Sequence, residues 1–123
     1  MSQPLRIALL VEASPHSRQA AASALRFARA ALAAGQRVPR VFFFGDGVLA
    51  ARPRATRIAD EPDPAAQWSA LAAESGVELV VCVAAAQRRG LDAAPLAEGF
   101  RIGGLGQLIE AALDADRLLT FAD

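Results

Sequence analysis

The stretch Val77-Glu78-Leu79-Val80-Val81-Cys82-Val83-Ala84-Ala85-Ala86-Gln87-Arg88-Arg89-Gly90 decides how this chain folds. Leu79 to Val83 is a short apolar run with β-branched residues, and Gly76 punctuates its start. That pattern predicts a central parallel strand covered on both faces. Ala84 to Arg89 favours helix, and Gly90 can end it. In an open α/β sheet, ligand and reaction sites form outside the carboxyl ends of the strands. The only cysteine of the chain, Cys82, is expected at such an end.

A thiol reacts as the thiolate, and a free cysteine has a pKa of roughly 8.5. A helix beginning near Ala84 offers unpaired amide donors and a partial positive charge. Arg88 and Arg89 add permanent positive charge if they fold back toward the site. Both effects favour the thiolate. A plainer reading stands beside this one. Free cysteine is among the most buried residue types and often packs as a small hydrophobe. The two arginines could equally hold a subunit interface or cap the sheet edge.

Working outward, strands and helices alternate. Leu5 to Val11 reads as a first strand, apolar apart from Arg6. Glu12 to Pro15 is a turn, in which Ser14 or Ser17 could cap the next helix and Pro15 suits a first-turn position. His16 lies in the same turn, either as a proton carrier or as a surface loop residue. A helix over 17–34 carries the stripe Ala21, Leu25, Ala28 and Leu32, with Arg26 off the stripe and Gly35 as its stop. Val38 to Phe44 is a second strand, and Gly45-Asp46-Gly47-Val48 a tight turn. Its three phenylalanines are expected to fill the core on one face and a subunit interface on the other. Asp46 could orient a group in a site, but turn chemistry also accounts for it.

Residues 51–62 read as a loop with Arg52, Arg54, Arg57, Asp60 and Glu61, either solvated or acting as a mobile cover. Asp63 and Pro64 open a helix that carries Trp68, Leu71 and Ala72 on one face and ends near Gly76. Leu91 to Glu98 is short and irregular. Phe100-Arg101-Ile102 is a brief strand. Gly103-Gly104-Leu105-Gly106 then leads into a helix with Leu105, Leu108, Ile109, Ala112 and Leu113 at helical spacing. These glycines match neither the dinucleotide nor the P-loop spacing, so close backbone packing explains them better than phosphate binding. Arg117 to Phe121 is the last strand. The whole predicts one α/β domain over 1–123, a mostly parallel sheet sandwiched between helices.

Composition narrows the function classes. Hydrophobic residues make up 54% and charged residues 21%, enough apolar surface for a core. The formal net charge is +0, which gives no pull toward nucleic acid or an anionic membrane. All 13 basic residues are arginine, which removes Schiff-base lysine chemistry and a Walker lysine. One histidine and one cysteine make a metal site within one chain improbable, and no cofactor is expected. No apolar stretch approaches a membrane span or a secretion signal, so a cytoplasmic protein is the expectation.

Three stretches together resemble the DsrE-type sulfurtransferase family, most of all its TusD branch. They are Val41-Phe42-Phe43-Phe44-Gly45-Asp46-Gly47-Val48, Cys82 through Gly90, and Gly99-Phe100-Arg101-Ile102-Gly103-Gly104-Leu105-Gly106 continuing to Ala115-Asp116-Arg117. The resemblance implies a DsrE/F-like fold and a persulfide carried on Cys82; Ala84, Arg88, Arg89, Asp46 and His16 are the supporting candidates by their positions. It implies sulfur relay toward 2-thiolation of the tRNA wobble uridine, with TusB-like and TusC-like subunits, a TusA-like donor and a TusE-like acceptor. Alternatives are a DsrE-like subunit of sulfur oxidation, a non-catalytic structural or ligand-binding subunit, and a homo-oligomer of the isolated chain. The chain departs from the TusD pattern in its short 91–98 segment, which bears on partner docking.

Overall fold

The computed structural model describes residues 3–16, 19–54, 61–91 and 94–123. In chain order they form β1 (Ile7–Val11), α1 (Ala20–Ala33), β2 (Arg40–Phe43), a 3₁₀ segment (Gly45–Ala51), α2 (Pro64–Ser75), β3 (Glu78–Cys82), α3 (Val83–Arg88), β4 (Phe100–Gly103), α4 (Leu105–Asp114) and β5 (Arg117–Phe121). The strands lie in the order β4-β3-β2-β1-β5, and every neighbouring pair is parallel. All five carboxyl ends therefore meet at one edge of the sheet.

Side chains alternate between the two faces of a strand. Leu9, Val11, Val41, Phe43, Leu79, Val81 and Phe100 share one face, which α1 and α2 cover. There the ring of Phe43 meets Trp68 of α2 edge-on at 5.3 Å, and Phe27 of α1 lies 6.0 Å from Phe121. Ala8, Leu10, Phe42 and Val80 face the other way, toward α4. From β1 to β4 the chain steps steadily across the sheet with its helices on one side. The return from β4 to β5 reverses direction, and the right-handed crossover rule then requires α4 on the opposite face.

Several local expectations hold and others shift for identifiable reasons. The Asp63 carboxylate accepts the Ala66 N–H at 3.2 Å, with Pro64 at the first helical position, and Gly76 ends α2 at φ 72°. Helix α1 starts at Ala20 after Gln19, without a side-chain cap, so Pro15 is not in its first turn. Ser14 instead accepts the His16 N–H at 3.2 Å, while Ser17 lies outside the described residues. The buried stripe of α1 runs along Ala24, Leu25, Ala28 and Ala31, and Ala21 and Leu32 are only half-covered. Strand β2 begins at Arg40 because Pro39 has no N–H for the ladder. Phe42 and Phe43 are both fully buried, on opposite faces, so the phenylalanine run serves the core of this chain on both sides and not a subunit interface. Of the charged loop, Arg54 pairs with Glu61 at 3.2 Å, whereas Arg57 and Asp60 lie outside the described residues.

Helix α4 is seated differently. None of its residues is buried, and Leu105, Ile109 and Leu113 are 51%, 59% and 82% exposed. The apolar positions at helical spacing thus largely face outward. Leu108 packs half-buried against the core, and polar contacts add to its hold on the helix. Arg40 donates to the Gln107 carbonyl at 2.8 Å and to Glu110 at 3.0 Å, and also pairs with Glu78 at 3.0 Å. Arg101 joins Glu78 from β4, and Arg6 reaches Asp114 at 3.3 Å. A charged cleft of about 270 Å³ remains between Arg6, Arg40, Glu78, Glu110 and Asp114.

Burial alone pushes the Glu78 carboxyl up, but the hydrogen bonds and charges of Arg40 and then Arg101 outweigh it and hold it below its ordinary 4.5. A depressed carboxylate contributes stability above its unfolded-state pKa and loses it as pH falls through the folded value. The native chain should therefore lose stability on acidification from about pH 4.5 downward. Glu78→Gln should be less stable at neutral pH and show a shallower acid decline, read from urea midpoints against pH. Parallel acid curves for the two proteins would show that the cluster contributes nothing.

Candidate functional site

Cys82 is the last residue of β3 and the residue before the first turn of α3. Its backbone is still extended, at φ −60° and ψ 123°. The thiol is free and only 2% exposed. Strand β3 is interior to the sheet, between β2 and β4. Across the β4 ladder Cys82 is registered with Gly103.

Gly103 has no room for a side chain. A Cβ there would lie 2.7 Å from Val80 Cγ1 and 2.7 Å from the Gln107 amide carbon. The Gln107 side chain, from the first turn of α4, thus lies over Gly103 with its amide oxygen foremost. Sequence reasoning read Gly103 as a close-packing glycine, which the contact bears out, and passed over Gln107. Their spacing, a glycine followed four residues on by glutamine, gains meaning only from the strand register.

The other expected residues fall at the same edge of the sheet but not all around the thiol. Ala84 is in the first turn of α3, where backbone N–H groups lack helical partners. Arg89 donates twice to Asp46 Oδ1, at 3.0 and 2.8 Å, and once to the Ala85 carbonyl at 3.0 Å. Arg52 in turn donates to the Arg89 carbonyl at 3.1 Å. Asp46 and Arg89 therefore form a brace that ties the 3₁₀ segment to the end of α3. Arg88 is exposed six residues beyond Cys82, about 9 Å along the helix axis. His16 is exposed after β1, two strand spacings or roughly 10 Å across from β3.

The brace depends on a close backbone approach. The stretch Gly45–Val48, expected as a tight turn, winds into the 3₁₀ segment that packs on the end of β1. A Cβ at Gly47 would strike the Val11 carbonyl, with Val11 C only 2.8 Å away. Gly45 takes φ 55°, which a side chain disfavours.

The model of the DsrE/DsrF-like family matches residues 5–121, nearly the whole of this architecture. The chain belongs to the DsrE/DsrF-like family. Sulfurtransferase TusD of Erwinia tasmaniensis is 45% identical over 128 residues, 95% of this chain and all of the relative. A protein of Allochromatium vinosum that carries the name DsrE is 42% identical over 130 residues, 97% of this chain and all of its own length. Both alignments are longer than the 123-residue chain, so this member of the family lacks residues that the relatives have. The crystal structure of the ychN protein from E. coli superposes with a TM-score of 0.84 over 95% of this chain and 99% of its own, at 24% identity, and shares the fold. Membership and full-length relatives named as sulfurtransferases make sulfur transfer the activity class of this chain. Among the described residues no helix is long and apolar enough to cross a membrane.

Gly47→Ala should lower the unfolding free energy by about 1–3 kcal/mol, the usual effect of forcing a methyl into a packed contact. Urea unfolding of the native and variant chains measures it. An unchanged midpoint would mean that the 3₁₀ segment moves away from Val11 without cost.

Proposed function

We propose that this chain is a persulfide carrier that takes sulfur on Cys82 and passes it to another protein's thiol. The observation that carries the reading is the position of the sole cysteine, at the carboxyl end of an interior strand in a full-length relative of sulfurtransferases. In the first step the Cys82 thiolate attacks the outer sulfur of a donor persulfide. A bond forms between Cys82 Sγ and that sulfur, the donor's S–S bond breaks, and the donor leaves as a thiolate. In the second step an acceptor thiolate attacks the outer sulfur and Cys82 leaves as a thiolate. No net oxidation occurs and no cofactor is consumed. Ala84 supplies first-turn backbone donors near the sulfur, Asp46 and Arg89 hold α3 in place, and Arg88 and His16 border the approach.

The pathway reading is 2-thiolation of the tRNA wobble uridine within a TusBCD-like hetero-oligomer in the cytoplasm. A TusA-like protein would supply the sulfur and a TusE-like protein would receive it. The exposed ridge Leu105, Ile109 and Leu113, with half-exposed Leu118 on the same side of the sheet, supports association with companion subunits. Sulfur oxidation is the alternative destination, as the DsrE resemblance of the sequence implies. A structural, non-carrying subunit is the second reading, favoured by the 2% exposure of Cys82.

Incubation with a persulfidated donor protein followed by intact-mass measurement tests the chemistry. The native chain should gain one sulfur, released by a thiol reductant, and Cys82→Ser should gain none. Equal gain in both would sink the assignment, and no gain even with companion subunits present would favour the structural reading. For the assembly, Leu113→Asp should leave the isolated chain folded and reduce its co-elution with TusB-like and TusC-like subunits on size-exclusion chromatography. Undiminished co-elution would move the contact away from α4.

A further inference from the structure

Cys82 is 2% exposed while its neighbour Val83 is 37% exposed, so the residue lies close beneath the surface. It joins β3 to α3, and α3 has only six residues. Isolated helices shorter than about 12 residues are marginal in water, so α3 keeps its place through what packs on it. The 3₁₀ segment lies against both β3 and α3. That segment is itself firmly seated. Val48 and Ala51 are fully buried, Gly47 rests on the Val11 carbonyl, and the Ala51 carbonyl accepts the Ala97 N–H at 2.8 Å.

The far end of α3 is fastened to this support by side chains. Arg89 donates to Asp46 and to the Ala85 carbonyl, and Arg52 donates to the Arg89 carbonyl. The pair is partly open to water, with the Arg89 side chain 27% and the Asp46 side chain 62% exposed. Ion pairs of that kind are individually weak. The buried residues of α3, Ala85 and Ala86, carry one carbon each, so lifting them from the core gives up little apolar area. The fastening can thus be undone without unfolding the sheet. We propose that the clasp of Asp46, Arg89 and Arg52 gates Cys82: its release lets α3 lift from the 3₁₀ segment and uncovers the thiol while the five strands stay paired. Closed, it shelters a carried sulfur; open, it admits another protein's thiol. This purpose rests on Cys82 being the sulfur carrier, whereas the gating itself is read on the bare thiol.

The test labels the full chain with methyl methanethiosulfonate, a small neutral reagent. It leaves a methylthio group on the sole cysteine and releases methanesulfinate, and intact mass against time gives the rate. Labelling through a local opening is nearly independent of urea below the unfolding transition, because little surface is exposed. Labelling through global unfolding climbs with the full urea slope. The native chain should show a flat rate at low urea, well below the rate of the urea-unfolded chain. Asp46→Asn and Arg52→Met should each raise that flat rate about threefold, the scale of one partly solvated polar contact. A direct charge effect on the thiol would move these two variants in opposite directions, since one loses a negative and the other a positive charge. Glu78→Gln, which loosens the fold from the far end of β3, should leave the flat rate unchanged. Absence of a flat branch, an unmoved flat rate in both clasp variants, or opposite shifts would each overturn the gate. None of these touches the carrier reading, which sulfur gain from a persulfidated donor decides. A chain that gains no sulfur while its labelling follows the clasp keeps the gate and loses the carrier.

Discussion

Parallel pairing of β3 on both of its sides is the constraint on which the rest of the molecule depends. Leu79, Val80 and Val81 are fully buried, so the strand cannot slip by one residue without carrying an apolar set to the wrong face. That register fixes where the strand stops, and the stop is Cys82. It also fixes what stands opposite, which is Gly103. A parallel sheet then gathers every strand's carboxyl end at one edge, the edge where β3 ends in Cys82.

The two faces of the sheet are held by different forces. On one, Trp68, Phe43, Phe100 and the small residues of α1 bury apolar surface, which needs no particular geometry beyond close packing. On the other, α4 buries no residue fully and is anchored by Arg40, Arg6, Glu78, Glu110 and Asp114. Ion pairs that are partly solvated are individually weak. A helix seated this way depends on direction more than on area, and it leaves its own apolar ridge facing outward. The face that carries Cys82 is thus the one covered by the less deeply packed helix.

The phenylalanine-glycine stretch after β2 is an architectural device. Gly47 lets the 3₁₀ segment lie against the Val11 carbonyl, and that contact presents Asp46 to Arg89. Two segments far apart in the chain, 45–51 and 83–89, are locked together at the edge where Cys82 emerges. An arginine bound in this way spends donors from all three of its nitrogens on a carboxylate and a carbonyl, so its first effect is to set the position of α3.

The alternation of strand and helix, the Asp63-Pro64 helix start, the stops at Gly35 and Gly76 and the end of β3 at the sole cysteine were all legible in the sequence. Each rests on local physics: hydrophobic period, capping groups and left-handed glycine geometry act within a few residues. The family was legible for the same reason, since its stretches are contiguous. Other features came only from the tertiary structure. The apolar positions of α4 show helical spacing, yet Leu105, Ile109 and Leu113 face outward, and periodicity does not say which side meets a sheet. The partnership of Asp46 with Arg89 spans 43 residues, and that of Gln107 with the edge beside Cys82 depends on a strand register. Sequence by itself determined the elements and the place of the sole cysteine, the proposed carrier, at a strand end. Which side chains stand around that residue was decided by the crossing of α4 and the pairing of β3 with β4, because contacts between distant segments are set by packing and not by local preference.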